Sequence, residues 1–394
     1  MKLGFVAPFY GARAAGGAEA ECRHTAVRLA RAGHDVHVFT TCLLDTHHDW
    51  NVNVHRAGTS VEDGVSVHRH RVAYTDLGAF YRLNARLAAG ESLSAREEQQ
   101  FVAFNLNSAD LLRVLDEARD TFDAFCLIPY LFGTTVFGAQ VTGPKAVLIP
   151  CLHDEPYARL GPIRDLFRAV RRIVFHSAAE QALASELYGL PADRGILLGE
   201  GVETGFESNA ARFRARFGLD GPFVLCAGKK DRAKNVHTLI DCFTRYRRRR
   251  PDSGLRLVLI GPGSLPVPDD MRNAIVDLGY VSDQEKKDAY SAASIFCQPS
   301  LNESFSIVLM EAWNCATPAV VHARCAVTRE HAMRSGGGFF FENCAEFEGC
   351  LDRLLGDREL ARHMGAAGRR YVLQNFEWNR IVARYEREVF AALS

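Results

Sequence analysis

The sequence lacks a long apolar run and an excess of charge of either sign. Its longest apolar stretches, such as residues 255–261, have the length of a buried strand, whereas a membrane helix needs about 20 apolar residues. The 47 basic side chains are matched by 47 acidic ones, so the net formal charge is zero. Without a basic excess we expect no nucleic-acid partner and no strong attraction to an anionic membrane.

Paired cysteine motifs are also missing. The eleven cysteines are odd in number and scattered, and none forms a Cys-x-x-Cys pair. This pattern argues against a disulfide framework and a structural zinc site, and it favours a reducing compartment. Residues 1–8 predict a strand rather than a signal peptide, because no apolar segment of signal-peptide length follows. The predicted location is the cytoplasm.

The length and the order of patterns predict two α/β domains. A chain of 394 residues exceeds one ordinary core. Residues 2–8 and 35–41 predict strands on either side of a helix, 20–32, so they form a βαβ unit. The loop between the first strand and that helix, residues 10–18, contains Gly16 and Gly17 but lacks the full dinucleotide fingerprint. A second set of strand–helix units begins at residue 223, which predicts a second doubly wound sheet.

Two carboxylates frame the stretch from residue 299 to residue 312. Glu303 follows an apolar strand-length run, residues 294–298, and Glu311 lies in a helical pattern predicted to begin near Ser304 or Phe305. If both glutamates were helical, they would lie roughly 12 Å apart along the axis. This layout suits a ligand that has polar groups at both ends and an anion near the helix N-terminus. A helix with two solvated acids is the alternative interpretation of the same pattern.

A basic loop follows the strand at residues 223–228. It contains Gly228, Lys229 and Lys234, and it precedes a predicted helix at 236–249. Glycine permits the turn, and the cations suit a phosphate. The loop is not a Walker motif, because the Gly-Lys-Ser/Thr order is absent. An exposed basic turn is the alternative.

Taken together, these motifs resemble the retaining glycosyltransferases of family 4, which have the GT-B fold. The loop 228–235, the strand end 259–263 and the segment 299–312 match in that order, and the first half matches more loosely through residues 16–19 and His153. The resemblance covers essentially the whole chain, with its specific motifs after residue 220. It implies two doubly wound Rossmann-like domains facing a central cleft. Their predicted bounds are 1–200 on the acceptor side and 201–375 on the donor side, with 376–394 crossing back to complete the first.

The resemblance also implies a role for each matching residue. Lys229, where the family usually has arginine, and Lys234 would bind the donor diphosphate, while Glu303 would contact the sugar and His153 would orient it. The further donor-binding residues that it implies are Gly16, Gly17, Gly228, Tyr280, Val281, Ser304, Phe305, Ser306, Ile307 and Glu311, the last at the ribose. Ser306 stands where glycine is common, a change expected to be tolerated in a helix.

Asp154 and Glu155 beside His153 are predicted to contact the acceptor. They are not predicted to hold a metal, because consecutive side chains on an extended chain point in opposite directions. The implied activity is retaining, metal-independent transfer of a sugar from a nucleoside-diphosphate sugar, such as a UDP- or GDP-hexose, to a hydroxyl group. The acceptor would be a glycan, a lipid-linked or a small molecule, and no bound cofactor is expected.

Two other functions share this architecture. One is a sugar-nucleotide epimerase or phosphorylase, and the other is a non-catalytic subunit that binds the sugar nucleotide. The arginines at residues 245–250 predict a solvated helix end, with weak peripheral contact at the inner face of a membrane as the alternative. The oligomeric state is not predicted.

Overall fold

The computed structural model describes residues 1–11, 16–391 and 393, and it divides the chain into two compact units. Unit 1 comprises Met1–Gly201 and Asn379–Ser394, and unit 2 comprises Val202–Trp378. Each has a largely parallel sheet with helices between its strands. The prediction of two Rossmann-like α/β domains is therefore confirmed. Residues 12–15, within the predicted glycine loop, lie outside the described residues.

Unit 1 is built on an eight-stranded sheet in the order β3-β4-β2-β1-β5-β6-β7-β8. The strands are β1 Lys2–Val6, β2 Asp35–Thr41, β3 Gly58–Glu62, β4 Val65–His70, β5 Ala124–Leu127, β6 Ala146–Leu148, β7 Arg172–Phe175 and β8 Gly195–Leu197. The helices are α1 Gly17–Arg31, α2 Leu77–Ala88, α3 Ala95–Phe104, α4 Ala109–Ala118, α5 Gly133–Thr142, α6 Gly161–Ala169 and α7 Ala178–Tyr188. The β3–β4 pair is antiparallel, whereas the other neighbours are parallel.

Unit 2 has a six-stranded parallel sheet in the order β11-β10-β9-β12-β13-β14. Its strands are β9 Phe223–Ala227, β10 Arg256–Ile260, β11 Ile275–Asp277, β12 Ile295–Gln298, β13 Ala319–His322 and β14 Gly338–Phe341. Its helices are α8 Ala210–Phe217, α9 Val236–Arg249, α10 Asp283–Ala292, α11 Ile307–Asn314, α12 Ala326–Ser335, α13 Cys344–Gly356 and α14 Arg358–Asn375. Strands buried on both faces explain why β9 and β12 appear in the sequence as continuous apolar runs.

The last helix starts in unit 2 and ends in unit 1. It is α15, Trp378–Arg384, and it continues as a π-helical segment, Tyr385–Phe390. The Arg384 guanidinium donates to the carbonyls of Leu197 at 2.6 Å and Leu198 at 2.9 Å, so this segment is fastened to the end of β8. Among the described residues, no helix is both long enough and apolar enough to span a bilayer.

Two of the cysteines are bonded, which corrects the expectation of unpaired thiols. The Cys242 and Cys344 sulfurs lie 2.02 Å apart in a disulfide that joins α9 to the start of α13, 102 residues further along the chain. The nine other cysteines are free, and six of them are buried. Pairing across such a separation depends on the Cα and Cβ positions in the fold, which the spacing of cysteines does not show.

Trp313 is the largest fully buried side chain of unit 2. It lies on α11, and its indole Nε1 donates to the Gly337 carbonyl at 2.9 Å. The Tyr371 ring on α14 meets it edge-on at 6.1 Å, and a Cβ at Gly368 would come within 2.3 Å of the indole. The absence of a side chain at Gly368 therefore lets α14 approach α11 closely.

Candidate active site

In unit 2 the candidate site lies where the strand order changes direction. β9 has β10 on one side and β12 on the other, so the connections leave the sheet in opposite directions at this point. Ligands of doubly wound sheets bind outside the carboxyl ends of the strands at such a switch point. The loops that follow β9 and β12 are residues 228–235 and 299–306, and these are the two segments that the sequence motifs predict.

The loop after β9 is held close to the loop after β10. The Lys230 backbone N–H donates to the Pro262 carbonyl at 2.8 Å. A Cβ at Gly261 would lie only 2.1 Å from the Gly228 carbonyl oxygen, so a side chain there would force the two loops apart. The Lys230 side chain is 1% exposed and forms an ion pair with Asp277 at the end of β11. Sequence reasoning missed this pair, because it joins residues from two separate strands.

The two lysines that were predicted to bind phosphate are more accessible. Lys229 is half exposed, with its Nζ 3.2 Å from Asp231. Lys234 is 38% exposed, and its Nζ donates to Glu303 Oε1 at 2.8 Å. Burial raises the pKa of the Asp231 carboxyl, but a hydrogen bond from the Lys234 backbone N–H and the attraction of both lysines outweigh burial and lower that pKa. The turn is therefore fixed by an ionised aspartate, while the lysine ammonium groups stay near the surface.

Glu303 is oriented by residues from both strands of the switch point. Its Oε1 accepts from Lys234 Nζ after β9 and from Gln298 Nε2 at the end of β12, at 2.8 and 2.9 Å. Its side chain is only 13% exposed. The structure thus brings Glu303 and Lys234 together, as expected for two parts of one site. Gln298 was missed, although a polar residue at the end of the apolar run 295–298 was a signal for it.

Ser306 differs from its predicted conformation. The helix begins at Ile307 rather than near residue 304 or 305, so Ser306 is its N-cap and not a helical residue. Its φ is 77° and its ψ is 69°, which is the left-handed region that glycine occupies most easily. The Ser306 hydroxyl donates to Gln298 Oε1, so Gln298 connects Glu303 to the start of α11.

Backbone strain at Ser306 leads to a testable difference between two substitutions. Ser306→Gly and Ser306→Ala both lose the bond to Gln298, but only alanine keeps the penalty of the left-handed conformation. We therefore expect the glycine variant to be more stable than the alanine variant by about 1 kcal/mol. Urea unfolding, followed by tryptophan fluorescence, measures this difference. Equal stability of the two variants would contradict the left-handed conformation.

The other residues predicted at this loop lie at the beginning of α11. Ser304 is half buried, while the Phe305 ring is 1% exposed and packs against His331 and Phe376 with centroid distances of 5.4 and 4.9 Å. This anchoring fixes the loop just before Ile307. The first backbone N–H groups of a helix have no partner within the helix, so this end offers donors to an anion.

Glu311 lies near the other end of α11 and contacts α10. Its Oε1 accepts from Lys286 Nζ at 2.8 Å, and its Oε2 accepts from the Tyr290 hydroxyl at 2.9 Å. Burial lowers the pKa of Lys286, but the attraction of Glu311 exceeds this effect and raises it. The carboxylate is thus held in one orientation with 18% of its side chain exposed. Lys286 and Tyr290 were not singled out in the sequence.

Tyr280 and Val281 form the short connection between β11 and α10. Tyr280 is 84% exposed, and Val281 is half buried. The connection is fixed on both sides, because the Gly279 carbonyl accepts from the Gly261 N–H at 2.7 Å and Ser282 caps α10 with Glu285. An exposed aromatic residue on a rigid turn is available to a flat ligand group.

The predicted residues of unit 1 follow the carboxyl ends of β1 and β6. Gly16 is the N-cap of α1, and Gly17 is its first residue. His153 and its neighbours follow β6. Asp154 Oδ1 pairs with Arg159 at 2.8 Å, and Glu155 Oε1 accepts from the Tyr130 hydroxyl at 2.7 Å.

Asp154 and Glu155 line a cavity of about 410 Å³ in unit 1. Glu91, Glu98, Arg159 and Leu160 are also among its lining residues. The wall therefore combines several carboxylates with an apolar surface. Such a wall offers hydrogen-bond acceptors to hydroxyl groups.

The arginines near the end of α9 have carboxylate partners. Arg248 lies 2.9 Å from Asp270, Arg249 lies 2.9 Å from Glu348, and Arg250 pairs with Asp352. These ion pairs favour the interpretation as a solvated helix end. Binding to an anionic membrane would need the same guanidinium groups, whose charge is here balanced by carboxylates.

Comparison with known families gives a match within unit 2. Residues 207–371 match the family described as glycosyl transferases group 1. This segment covers fewer than half of the residues of the chain, and it contains Glu303, Lys234 and all six strands of unit 2.

Curated relatives match about half of the chain. D-inositol 3-phosphate glycosyltransferase of Pseudarthrobacter chlorophenolicus is 30% identical over 227 residues, which are 54% of this chain and 54% of that protein. A GDP-mannose-dependent alpha-(1-6)-phosphatidylinositol monomannoside mannosyltransferase of Mycolicibacterium smegmatis is 28% identical over 193 residues, 44% of this chain and 49% of that protein. The chain spans about half the length of the curated relatives that it matches.

Solved structures resemble the chain over nearly its whole length. Sucrose-phosphate synthase of Thermosynechococcus elongatus has a TM-score of 0.71 at 18% identity, covering 99% of each chain. Anabaena HepE in complex with UDP-glucose has a TM-score of 0.68 at 16% identity, covering 99% of this chain and 100% of that chain. Identities this low show the fold alone, and that fold is GT-B.

Proposed function

We propose that this protein is a retaining glycosyltransferase that moves a sugar from a nucleoside-diphosphate sugar to a hydroxyl group. The observation that carries the proposal is the contact of Lys234 with Glu303 at the switch point of unit 2, directly before the N-terminus of α11. A cation, a carboxylate and free helix amides are thereby placed side by side. The family match over residues 207–371 supports the same activity.

In this proposal the donor diphosphate lies at the start of α11. Its negative charge is met by the N-terminal amides of the helix and by the ammonium groups of Lys229 and Lys234. Glu303 accepts hydrogen bonds from the sugar hydroxyls, Glu311 accepts them from the ribose, and the turn at Tyr280 and Val281 holds the base. Lysine at position 229 supplies charge without the bidentate geometry of an arginine.

The proposed transfer exchanges one bond at the anomeric carbon for another on the same face. The bond between the anomeric carbon and the diphosphate oxygen breaks, and the acceptor oxygen bonds to that carbon. The acceptor proton passes to the leaving diphosphate oxygen. Because negative charge grows on the diphosphate as the bond breaks, fixed cations and amides around it stabilise the transition state. In this scheme these groups take the role that a metal ion has in other transferases.

The acceptor is proposed to bind unit 1 at the loop after β6. His153 would orient the sugar, while Asp154 and Glu155 would accept hydrogen bonds from acceptor hydroxyls. The names of two relatives specify an inositol phosphate and a phosphatidylinositol mannoside, so polyols and lipid-linked polyols are the first acceptors to test. The same names and the HepE complex make GDP-mannose and UDP-glucose the first donors.

The decisive experiment follows a labelled donor to its products. Binding is screened first as a rise in melting temperature with nucleoside diphosphates. Each sugar nucleotide that binds is then incubated with the acceptor panel, and NMR gives the anomeric configuration of the product. We expect an acceptor glycoside with the configuration of the donor. An inverted product would refute retention, an epimerised sugar nucleotide would indicate an epimerase, and binding without turnover would indicate a non-catalytic subunit.

A further inference from the structure

A buried carboxylate holds the loop that carries His153. Glu180 lies in the first turn of α7, with its side chain 0% exposed. One oxygen accepts from the Leu152 N–H at 2.6 Å, and the other accepts from the His176 N–H at 2.6 Å. In a usual capping box this glutamate would return to the N-cap amide, here that of Ser177. Instead, the two oxygens of Glu180 link the segment after β6 to the residue that follows β7.

The residue before Leu152 has an unusual backbone. Cys151 has a φ of 51°, a left-handed conformation that costs a non-glycine residue roughly 1 kcal/mol or more. Such a conformation persists only where the surrounding contacts determine it. The bond from Leu152 to Glu180 is one such contact. Another is the contact of the Cys151 thiol, which lies 3.5 Å from Glu21 Oε2.

His176 lies between two buried carboxylates. Its Nε2 is 2.6 Å from Glu21 Oε1, and its Nδ1 is 3.6 Å from Glu180 Oε2. Burial lowers the pKa of His176, but the attraction of Glu21, Glu180 and Glu200 overcomes burial and raises it to about 10. Burial also raises the pKa of Glu180, to about 7, against the attraction of His176 and its two amide donors. The neighbouring carboxylates thus favour the protonated form of His176.

We propose that Glu180 is a positioning residue for the transfer reaction. By accepting from the Leu152 N–H, Glu180 sets the backbone path of residues 151–155 and thereby the position of His153. Glu180 is itself held in the core by His176, which pairs with Glu21. The inference rests on the proposed function in one respect, the assignment of residues 153–155 to the sugar and the acceptor. The path of the loop itself does not depend on that assignment.

The energetic cost of the cluster supports a specific role. A buried ion pair is often no more stable than well-packed apolar side chains of the same volume, so stability alone does not explain two buried glutamates and a histidine. These groups can instead fix the orientation of the backbone segments that they contact. A carboxylate can accept two amide protons from different strand ends at once, which an apolar side chain cannot do.

The test compares Glu180→Gln with Glu186→Gln, an exposed glutamate on the same helix. An amide has a single acceptor oxygen, so Glu180→Gln loses one of the two backbone bonds. We expect kcat/KM for the acceptor to fall on the order of 10- to 100-fold, since small displacements near a reacting group have effects of this size. The melting-temperature shift with nucleoside diphosphate should stay at the wild-type value, because that ligand carries no sugar for His153 to orient. Glu186→Gln should match the wild type throughout.

Hydrogen exchange gives a readout that does not depend on activity. In Glu180→Gln the amides of Leu152 or His176 should lose protection, while the rest of α7 keeps it. Unchanged exchange and unchanged acceptor kinetics would overturn the proposal, as would a weakened melting-temperature shift with nucleoside diphosphate. If the wild type transfers no sugar to any acceptor, the proposed function fails, while the exchange data still decide the role of Glu180.

Two further measurements keep the proposal open to refutation. Should Glu180→Gln fail to fold, the Leu152 and His176 amides of the wild type must both be protected from hydrogen exchange if one buried carboxylate accepts from both. Rapid exchange at either amide would refute the proposal. Glu21, Cys151 and His176 also offer ligand atoms within 4.8 Å of one another, a set that zinc accepts. One equivalent of zinc in the purified protein would replace the ion-pair account with a metal site.

Discussion

Glu303→Ala is expected to lower kcat/KM for sugar transfer by about 10³-fold, the effect of removing a group that stabilises the transition state. The Glu303 carboxylate lies at the switch point of unit 2, where it accepts hydrogen bonds from Lys234 and Gln298. Removing it would therefore also release the Lys234 side chain from its present position. In the proposed function it contacts sugar hydroxyls. Steady-state kinetics with a saturating acceptor measure the loss.

The binding of the nucleoside diphosphate alone should change little in Glu303→Ala, because that ligand has no sugar. The matched control is Glu359→Ala, which removes an exposed acid from α14 of the same unit. We expect the control to transfer sugar at the wild-type rate. Wild-type transfer by Glu303→Ala would remove Glu303 from the site, and equal losses in both variants would point to a general effect of charge.

Trp313→Ala is expected to destabilise unit 2 by about 3–5 kcal/mol, the usual cost of deleting a fully buried large aromatic side chain. The indole fills the space between α11 and α14, and its Nε1 donates to the Gly337 carbonyl, which also accepts from the Ala319 N–H at 3.1 Å. Alanine would leave a cavity and would remove the hydrogen bond from the indole. Urea unfolding followed by circular dichroism measures the loss.

Trp313→Phe separates the two parts of that effect. Phenylalanine keeps most of the ring but loses the bond to Gly337, so we expect a smaller cost, with about 1 kcal/mol from the lost hydrogen bond, because the Gly337 carbonyl keeps the Ala319 N–H as a donor. A phenylalanine variant as unstable as the alanine variant would show that the hydrogen bond, and not the filled volume, dominates. Because α11 also carries Glu311, nucleotide binding should weaken in parallel with stability.

The main elements of the fold could be predicted from the sequence because short-range patterns of apolar and polar residues determine them. β9 and β12 are apolar runs of strand length, and the loops that follow them carry the charged residues of the candidate site. Lys234 and Glu303 were predicted for one site and lie 2.8 Å apart. Their individual roles came from the resemblance to a family rather than from spacing.

What escaped prediction depends on contacts between distant residues or on a single dihedral angle. Lys230 with Asp277 and Cys242 with Cys344 meet only after their strands and helices are arranged. Ser306 lies in a pattern that continues smoothly into α11, so the sequence did not show that the backbone turns left-handed one residue before the helix. The buried cluster around Glu180 combines both difficulties.

The discontinuity of unit 1 has a consequence for the order in which the protein forms during translation. Unit 2 is one continuous stretch, so all of its strands have left the ribosome when residue 378 has been added and the tunnel is cleared. Unit 1 needs Arg384 to bind the end of β8, and those residues are nearly 190 positions apart. The first unit to be synthesised is therefore the last to be completed. Until then the carbonyls of Leu197 and Leu198 lack the two hydrogen bonds from Arg384.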